Sequence, residues 1–231
     1  MKIIQLLPWS DWIALAFFVT IWIGYATFTK HWVDGENSVL ALTNRYRRLW
    51  MLQTTMRDPR MLDGIITQNL SSTPTFFCST TLFVLGGLFA LLGTTDKAAE
   101  LVSEIPFAQQ TPMLVFEFKV LVMVVIFVYA FFRFSWSMRQ YTFVALLIGS
   151  MPSPESFEQG QHNPEGYAKR ASAVAGLAAE TFNSGLRAYY FSFAAMAWFF
   201  SPWLFALATM LVTGVLYSRE FRSEVLTVLQ E

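Results

Sequence analysis

The chain has very little of the chemistry on which most active sites are built. Its 231 residues include one cysteine and two histidines, and only 14% of them are charged. Cys78 has no second thiol for a disulfide or a CxxC metal site, and neither His31 nor His162 has a second histidine at helical spacing. The sequence also lacks a phosphate-binding loop, a GxSxG elbow, an HExxH motif and a dinucleotide fingerprint. We therefore expect no metal, no cofactor and no enzymatic activity.

The chain also lacks an excess of charge of either sign. Lys plus Arg and Asp plus Glu both total 16. Because nucleic-acid binding depends on a basic excess, no nucleic-acid partner is expected. Apolar residues are abundant. Hydrophobic residues make up 55% of the chain and include 23 Phe and 8 Trp, and the mean hydropathy is +0.43. That composition is too apolar for a soluble domain of this size and indicates an integral membrane protein.

The apolar residues are grouped into stretches long enough to cross a bilayer. A spanning helix needs roughly 20 mainly apolar residues. Four such stretches occur, at about residues 9–29, 73–92, 113–134 and 188–217. The first is too long and aromatic for a signal peptide and has no A-x-A-like cleavage site after it. The sequence predicts an all-α polytopic membrane protein, a four-transmembrane-helix bundle that forms a single membrane domain over residues 1–231.

The positive charges predict the orientation of these spans. Most Lys and Arg residues lie between the first and second spans and between the third and fourth. The loop between the second and third spans holds Lys97 against Asp96, Glu100 and Glu104. The positive-inside rule therefore places the two basic loops in the cytoplasm of a bacterial inner membrane and both termini in the periplasm. Arg219 and Arg222 act against this rule at the C-terminus.

The two basic segments also have helical periodicity. We expect amphipathic and extended cytoplasmic helices within residues 37–70 and 135–187. In the first segment, Asp58-Pro59 separates an amphipathic helix from a second short helix over about residues 60–70. In the second, the third-span helix is expected to continue to Gly149, and a further helix to cover residues 165–185. These helices could lie in the headgroup layer or pack on the ends of the spans, and the sequence leaves both interpretations open.

The fourth apolar run is longer than one membrane crossing requires. Its length as a helix would be about 45 Å, against a hydrocarbon core of about 30 Å. Pro202 is the expected helix break within it, because proline removes a helical donor and clashes with the preceding turn. The break could be a packing bend or a substrate-lining broken helix.

Arginines form the first group of candidate site residues. Guanidinium groups bind phosphate in a bidentate manner, so a lipid-headgroup or anion site is expected where they meet. Arg133, Arg139 and Arg187 are expected to converge near the inner interface. The predicted lipid or anion-binding residues are Arg133, Arg139, Arg187, Arg45 and Arg48. The alternative is that these side chains snorkel and pair with Asp58, Asp63 or Glu180.

A second group consists of polar residues near or within the spans. Asn69 and Asn183 are expected to be hydrogen-bonding neighbours of the arginines. Glu117 and Lys119 lie in the first turns of the third span, just after Pro112. A charge inside a membrane is a functional hypothesis, so this pair could translocate a proton or an ion, or could anchor the span at the interface.

Several segments together resemble one protein family. They are Arg48 to Met51, Gln68 to Leu70 leading into Phe77 to Thr81, Phe132 to Arg139, Phe182 to Phe191 followed by Trp198, and Leu216 to Phe221. With these segments the chain resembles the DUF599 family of uncharacterised integral membrane proteins along nearly its whole length. The resemblance implies a multi-span inner-membrane protein, and it supplies no catalytic residues.

The expected function is a structural or accessory one. The many aromatic residues and the small-residue helix faces suit helix–helix contact, so we expect the protein to self-associate or to join a larger membrane complex. Membrane lipids are the other expected partners, with anionic-lipid binding at the cytoplasmic interface. The alternative is an oligomeric channel or transporter for a small ion or solute.

The orientation can be tested with single cysteines in a Cys78→Ser background. Lys97→Cys should react with a membrane-impermeant maleimide added to intact spheroplasts, because its loop is predicted to be periplasmic. His162→Cys should react only after the cells are lysed. Labelling of His162→Cys in intact spheroplasts would contradict the predicted orientation.

Overall fold

The chain folds as a series of helices. The computed structural model describes residues 7–32, 38–94 and 112–230, and within these ranges it contains helices and no strand. We number the helices α1 Trp9–Trp32, α2 Val39–Thr55, α3 Met61–Gly93, α4 Met113–Gly149, α5 Pro154–Glu158, α6 Pro164–Ala197, α7 Pro202–Phe221 and α8 Glu224–Gln230. The loop with Lys97 lies outside the described residues.

Four helical segments are long and apolar enough to cross a membrane. They are Trp9–Thr29, Met61–Gly93, Met113–Gly149 and Pro202–Gln230. The predicted all-α class, with four helices long and apolar enough to span a membrane, is therefore confirmed. The third segment runs without interruption to Gly149, which is the extent that its apolar pattern predicts.

Helix α3 differs from the sequence prediction. A short helix over residues 60–70 and a span over residues 73–92 were predicted separately, but one helix runs through both, with Pro74 inside it. The hydroxyl of Ser72 donates to the carbonyl of Asn69 at 2.7 Å, and that of Thr75 donates to the carbonyl of Ser71 at 2.8 Å. Hydroxyls of this kind help a membrane helix to tolerate proline, because they bond carbonyls in the disturbed turn.

The chain divides into two compact units, which we describe separately. The first unit comprises Met1–His31, Thr80–Phe131 and Leu186–Arg219, and the second comprises Trp32–Ser79, Phe132–Gly185 and Glu220–Glu231.

Aromatic rings fill the interior of the first unit. Phe18 is 1% exposed, and its ring centroid lies 5.6 Å from that of Phe191 and 4.9 Å from that of Phe205. Trp22 stacks on Phe191, and Trp198 stacks on Phe205 at 5.0 Å. Offset and edge-to-face ring pairs add to the stabilisation from apolar burial. The interior of this unit is thus a packed aromatic core.

The apolar run of residues 188–217, predicted as one span, is a helical hairpin. Helix α6 ends at Ala197 and α7 begins at Pro202. Near the turn Trp198 stacks on Phe205, and farther away the guanidinium of Arg219 bonds the hydroxyl of Tyr190. In one continuous helix residues 29 positions apart would be about 44 Å apart, so these contacts require an antiparallel pair. The single-span prediction for this run is wrong because a chain reversal at proline leaves no polar break in the sequence.

Small residues on α6 organise the core of the second unit. Ala171, Ala175 and Ala178 are fully buried and pack in a cluster with Met51 and Val144. The hydroxyl of Ser137 also donates to the carbonyl of Ala178 at 2.8 Å. Alanines at this spacing let helices approach closely enough for such bonds.

A buried carboxylate fixes the connection between α2 and α3 in the second unit. Asp63 is fully buried, and its Oδ1 accepts hydrogen bonds from Trp50 Nε1 at 2.7 Å, Thr54 Oγ1 at 2.9 Å and Arg57 Nη1 at 2.8 Å. Arg60 donates to the carbonyl of Thr54 and to those of Met151 and Pro152. These two arginines therefore serve the fold itself.

The C-terminal helix also belongs to the second unit. Helix α8 contacts α2, and Glu220 Oε1 accepts a hydrogen bond from the backbone N–H of Leu40 at 3.1 Å. The described C-terminal residues thus lie beside the basic helix α2. This packing does not agree with the prediction that the C-terminus lies opposite the two basic loops. The side of the membrane on which the C-terminus lies stays a prediction.

The hairpin gives a simple topology prediction. A green fluorescent protein fused after Glu231 should fluoresce, and alkaline phosphatase fused there should be inactive, because α8 packs on the basic α2 and that segment is predicted to be cytoplasmic. Alkaline phosphatase fused after Phe200, in the hairpin turn, should be active. Activity of the phosphatase fused after Glu231 would contradict the chain reversal.

Candidate functional site

The turn of the α6–α7 hairpin contains a backbone carbonyl that needs a donor. In a helix the carbonyl of Trp198 would accept from the N–H of residue 202, but Pro202 has none. The ammonium group of Lys119, on α4, donates to this carbonyl at 2.9 Å. The same ammonium lies 5.4 Å from the centroid of the Trp198 ring, within cation–π range. A lysine thus replaces the donor that proline removes.

An acidic residue on α1 completes this cluster. Asp11 Oδ1 accepts a hydrogen bond from Trp198 Nε1 at 2.7 Å and lies 3.5 Å from Lys119 Nζ. Asp11 is 3% exposed, Lys119 is 1% exposed and Trp198 is fully buried. A charge away from water is costly unless it is paired and hydrogen-bonded. The two charges compensate each other, and three helices are joined at one end of the first unit.

Sequence reasoning identified Lys119 but not its partner. Asp11 is a single carboxylate near the start of the first apolar run. A charge at that position was the sequence signal that could have identified it as a partner for Lys119. Glu117, which was grouped with Lys119, is half-buried and stands two positions away on α4. Residues two apart do not face each other on a helix. Ion transfer by Glu117 and Lys119 stays a prediction.

The predicted arginines are distributed over the two units. Arg187 belongs to the first unit and is 8% exposed. It donates to Thr29 Oγ1 at 2.9 Å, and its guanidinium lies 5.9 Å from the Tyr25 ring. In the second unit Arg133 is half-buried, whereas Arg139 is exposed and lies 5.7 Å from the ring of Phe143. Arg187 thus holds α1 and α6 together, and convergence of the three arginines stays a prediction.

The remaining predicted residues all lie in the second unit. Arg45 and Arg48 are exposed on α2 and line a cavity of about 240 Å³ together with Glu165. Asn69 and Asn183 line a different cavity, of about 220 Å³. The two asparagines therefore line one cavity, and their expected contact with Arg133, Arg139 or Arg187 stays a prediction. Asp63, considered as a partner for the predicted arginines, is bonded to Arg57 instead.

The comparison with known proteins identifies a family. A family model described as "Protein of unknown function, DUF599" matches residues 13–225, nearly the whole chain. The chain belongs to the DUF599 family. No curated protein and no solved structure matches it. The resemblance found in the sequence is confirmed, and the DUF599 match includes Lys119, Trp198 and Pro202.

The buried cluster can be tested by a double-mutant cycle. Lys119→Met leaves the Asp11 carboxylate buried without its cation, and breaking such a pair costs about 3–5 kcal/mol. Asp11→Asn/Lys119→Met removes both charges and keeps an acceptor for Trp198 Nε1, so it should be more stable than Lys119→Met alone. Thermal unfolding of the purified protein in detergent, followed by circular dichroism, measures the difference.

Glu117→Gln is the matched control for this cycle. It neutralises a charge on the same helix outside the cluster and should shift the unfolding midpoint little. Equal midpoints for Lys119→Met and the double variant would contradict the proposed charge compensation.

Proposed function

We propose that this DUF599 protein is a structural or accessory component of the bacterial inner membrane that self-associates through α3. Its exposed arginines contact anionic lipid headgroups at the cytoplasmic interface. The observation that carries the proposal is the surface of α3, which combines strong exposure with small and polar residues.

Helix α3 is the span that its own chain covers least. Only 6% of the residues in its apolar 18-residue window are buried, compared with 50% for α4. Phe76 is 65% exposed and Phe83 is 82% exposed. Lipid could cover these aromatic rings, so their exposure alone does not require a protein partner.

The polar and small residues of the same helix face favour a protein partner. Gln68, Ser72, Ser79, Gly86 and Ala90 are exposed, and at 100° per residue all five lie within about 40° of arc. Among the described residues, the Gln68 side chain has no hydrogen-bond partner, and acyl chains offer none. Small residues let membrane helices approach closely, and polar ones bond across the contact. We therefore infer that a second copy covers this face.

The packing of the first unit supports a structural role over a pore inside one chain. Phe18, Phe191, Phe205 and Trp198 occupy its interior and are nearly or fully buried. A conducting path would need polar groups and water where these rings pack. The charge pair buried among the described residues of this unit, Asp11 with Lys119, closes the α6–α7 turn.

The lipid part of the proposal is supported by the exposed guanidinium groups of the second unit. Arg45 and Arg48 extend from α2, and Arg139 is exposed on α4. Guanidinium groups form bidentate bonds with phosphate, and each basic side chain near an anionic surface adds about 1 kcal/mol of attraction.

Self-association through α3 can be tested by cysteine cross-linking in native membranes. In a Cys78→Ser background, Ser79→Cys should form a disulfide-linked dimer on mild oxidation, because helices in contact bring Cα atoms within the 4.4–6.8 Å that a disulfide needs. Met210→Cys is the control, since Met210 is 62% exposed on α7 but lies outside the α3 face.

The outcomes distinguish the alternatives. A dimer from Ser79→Cys and little from Met210→Cys supports self-association. A disulfide-linked adduct of Ser79→Cys with a different protein would indicate that the chain belongs to a heteromeric complex and does not self-associate through α3. Equal dimer from both variants, or none from Ser79→Cys, would contradict a specific contact through α3.

A further inference from the structure

Arg47 is a cation without an anionic partner among the described residues. It lies on α2 and is half-buried. Its Nη1 donates to Thr43 Oγ1 at 3.0 Å and to Asn44 Oδ1 at 2.7 Å, and both acceptors are neutral. The ion pairs found in the described part of the chain are Arg57–Asp63 and Lys119–Asp11. The positive charge of Arg47 is therefore not compensated by a carboxylate there.

The cavity beside Arg47 is formed by four helices of the second unit. It measures about 220 Å³, several times the roughly 30 Å³ that a water molecule occupies in the liquid. We call it the Arg47 cavity. Its polar lining residues are Thr43 and Arg47 on α2, Asn69 and Thr73 on α3, Tyr141 on α4 and Asn183 on α6.

The polar lining suits an anion. A guanidinium, two carboxamides and three hydroxyls can all donate hydrogen bonds, and no Asp or Glu lines the cavity. The side chains of Asn69 and Asn183 have no hydrogen bond to another described residue, which leaves their amide groups available to a ligand. A cation site would require the opposite, with carboxylate or carbonyl oxygens dominating.

Partial burial reduces the hydration of the Arg47 charge, so a neighbouring anion stabilises that charge more. Burial lowers the pKa of the Arg47 guanidinium, and the nearby Tyr141 acts in the opposite direction. Arginine still remains protonated in proteins. A charge with reduced hydration interacts more strongly with a neighbouring anion than the same charge in water does.

We propose that the Arg47 cavity binds a phosphate group, carried either by a lipid headgroup or by a free anion. The guanidinium of Arg47 holds two phosphate oxygens, and the amides of Asn69 and Asn183 with the hydroxyl of Thr73 donate to the others. None of the predicted arginines, Arg45, Arg48, Arg133, Arg139 or Arg187, lines this cavity. The Arg47 cavity is thus separate from the surface lipid contacts and the α3 contact proposed above. A test of phosphate binding in the cavity therefore does not depend on either of those proposals.

The test uses the purified full-length protein in a neutral maltoside detergent. Two probes distinguish the sources of the phosphate. Inorganic phosphate is titrated calorimetrically against a chloride control of equal ionic strength. Dioctanoyl phosphatidylglycerol is then compared with dioctanoyl phosphatidylcholine by native mass spectrometry.

Three variants accompany the wild type. Arg47→Gln removes the charge, and Arg170→Gln is the matched control because Arg170 is exposed on α6 in the same unit and does not line the cavity. Asn183→Asp keeps Arg47 and adds a repelling negative charge, so it carries the test if Arg47→Gln misfolds.

Binding of at least one probe to the wild type is expected. Arg47→Gln and Asn183→Asp should weaken it at least about tenfold, as expected for loss of charge-assisted hydrogen bonds, and Arg170→Gln by less than about twofold. Binding of inorganic phosphate indicates a free anion, whereas preference for phosphatidylglycerol without phosphate binding indicates a headgroup. Absence of binding by both probes, or equal loss in Arg47→Gln and Arg170→Gln, would overturn the proposal.

Discussion

The structure of the first unit depends on one missing backbone donor. Pro202 cannot bond the carbonyl of Trp198, and inside a membrane an unsatisfied carbonyl is costly. Lys119 supplies the donor at 2.9 Å, and Asp11 neutralises the lysine while accepting from the Trp198 indole. The three polar groups thus satisfy one another within the protein. This arrangement lets the chain reverse within an apolar run, so that both halves of the run pack on Phe18.

The reversal determines what the rest of the molecule presents to its surroundings. The hairpin and α1 fill the interior of the first unit with rings, and the buried pair of Asp11 and Lys119 stabilises the turn. Other exposed residues available for interaction lie on the small and polar face of α3, and exposed arginines lie in the second unit. There, Arg57, Arg60 and the carboxylate of Asp63 fix the connection between α2 and α3, whereas Arg47 faces a cavity. A structural or accessory role agrees with this separation between a closed interior and an interactive surface.

Hydropathy predicted the membrane class and the four apolar stretches, because burial in lipid imposes long runs of apolar residues, and the family resemblance came from separate sequence segments. Hydropathy could not predict the hairpin, since the turn contains Ser201 as its single polar side chain and its Trp198 carbonyl is satisfied by Lys119, which is distant in sequence. Asp11 was overlooked because its partner is distant in sequence. Arg47 was not among the predicted site residues, whereas its exposed neighbours Arg45 and Arg48 were, because sequence position alone does not show which cavity each arginine of α2 lines. These residues became identifiable only from packing.

The central claim is that the chain reverses at Pro202, and a distance within the last apolar run tests it most directly. Nitroxide labels at Phe193 and Val215, which are 62% and 48% exposed, can be placed in a Cys78→Ser background and measured by double electron–electron resonance. Antiparallel helices have axes about 8–10 Å apart, so the account predicts a distance below about 20 Å. A single helix through Pro202 would separate the two positions by about 33 Å, and a peak near that value would contradict the account.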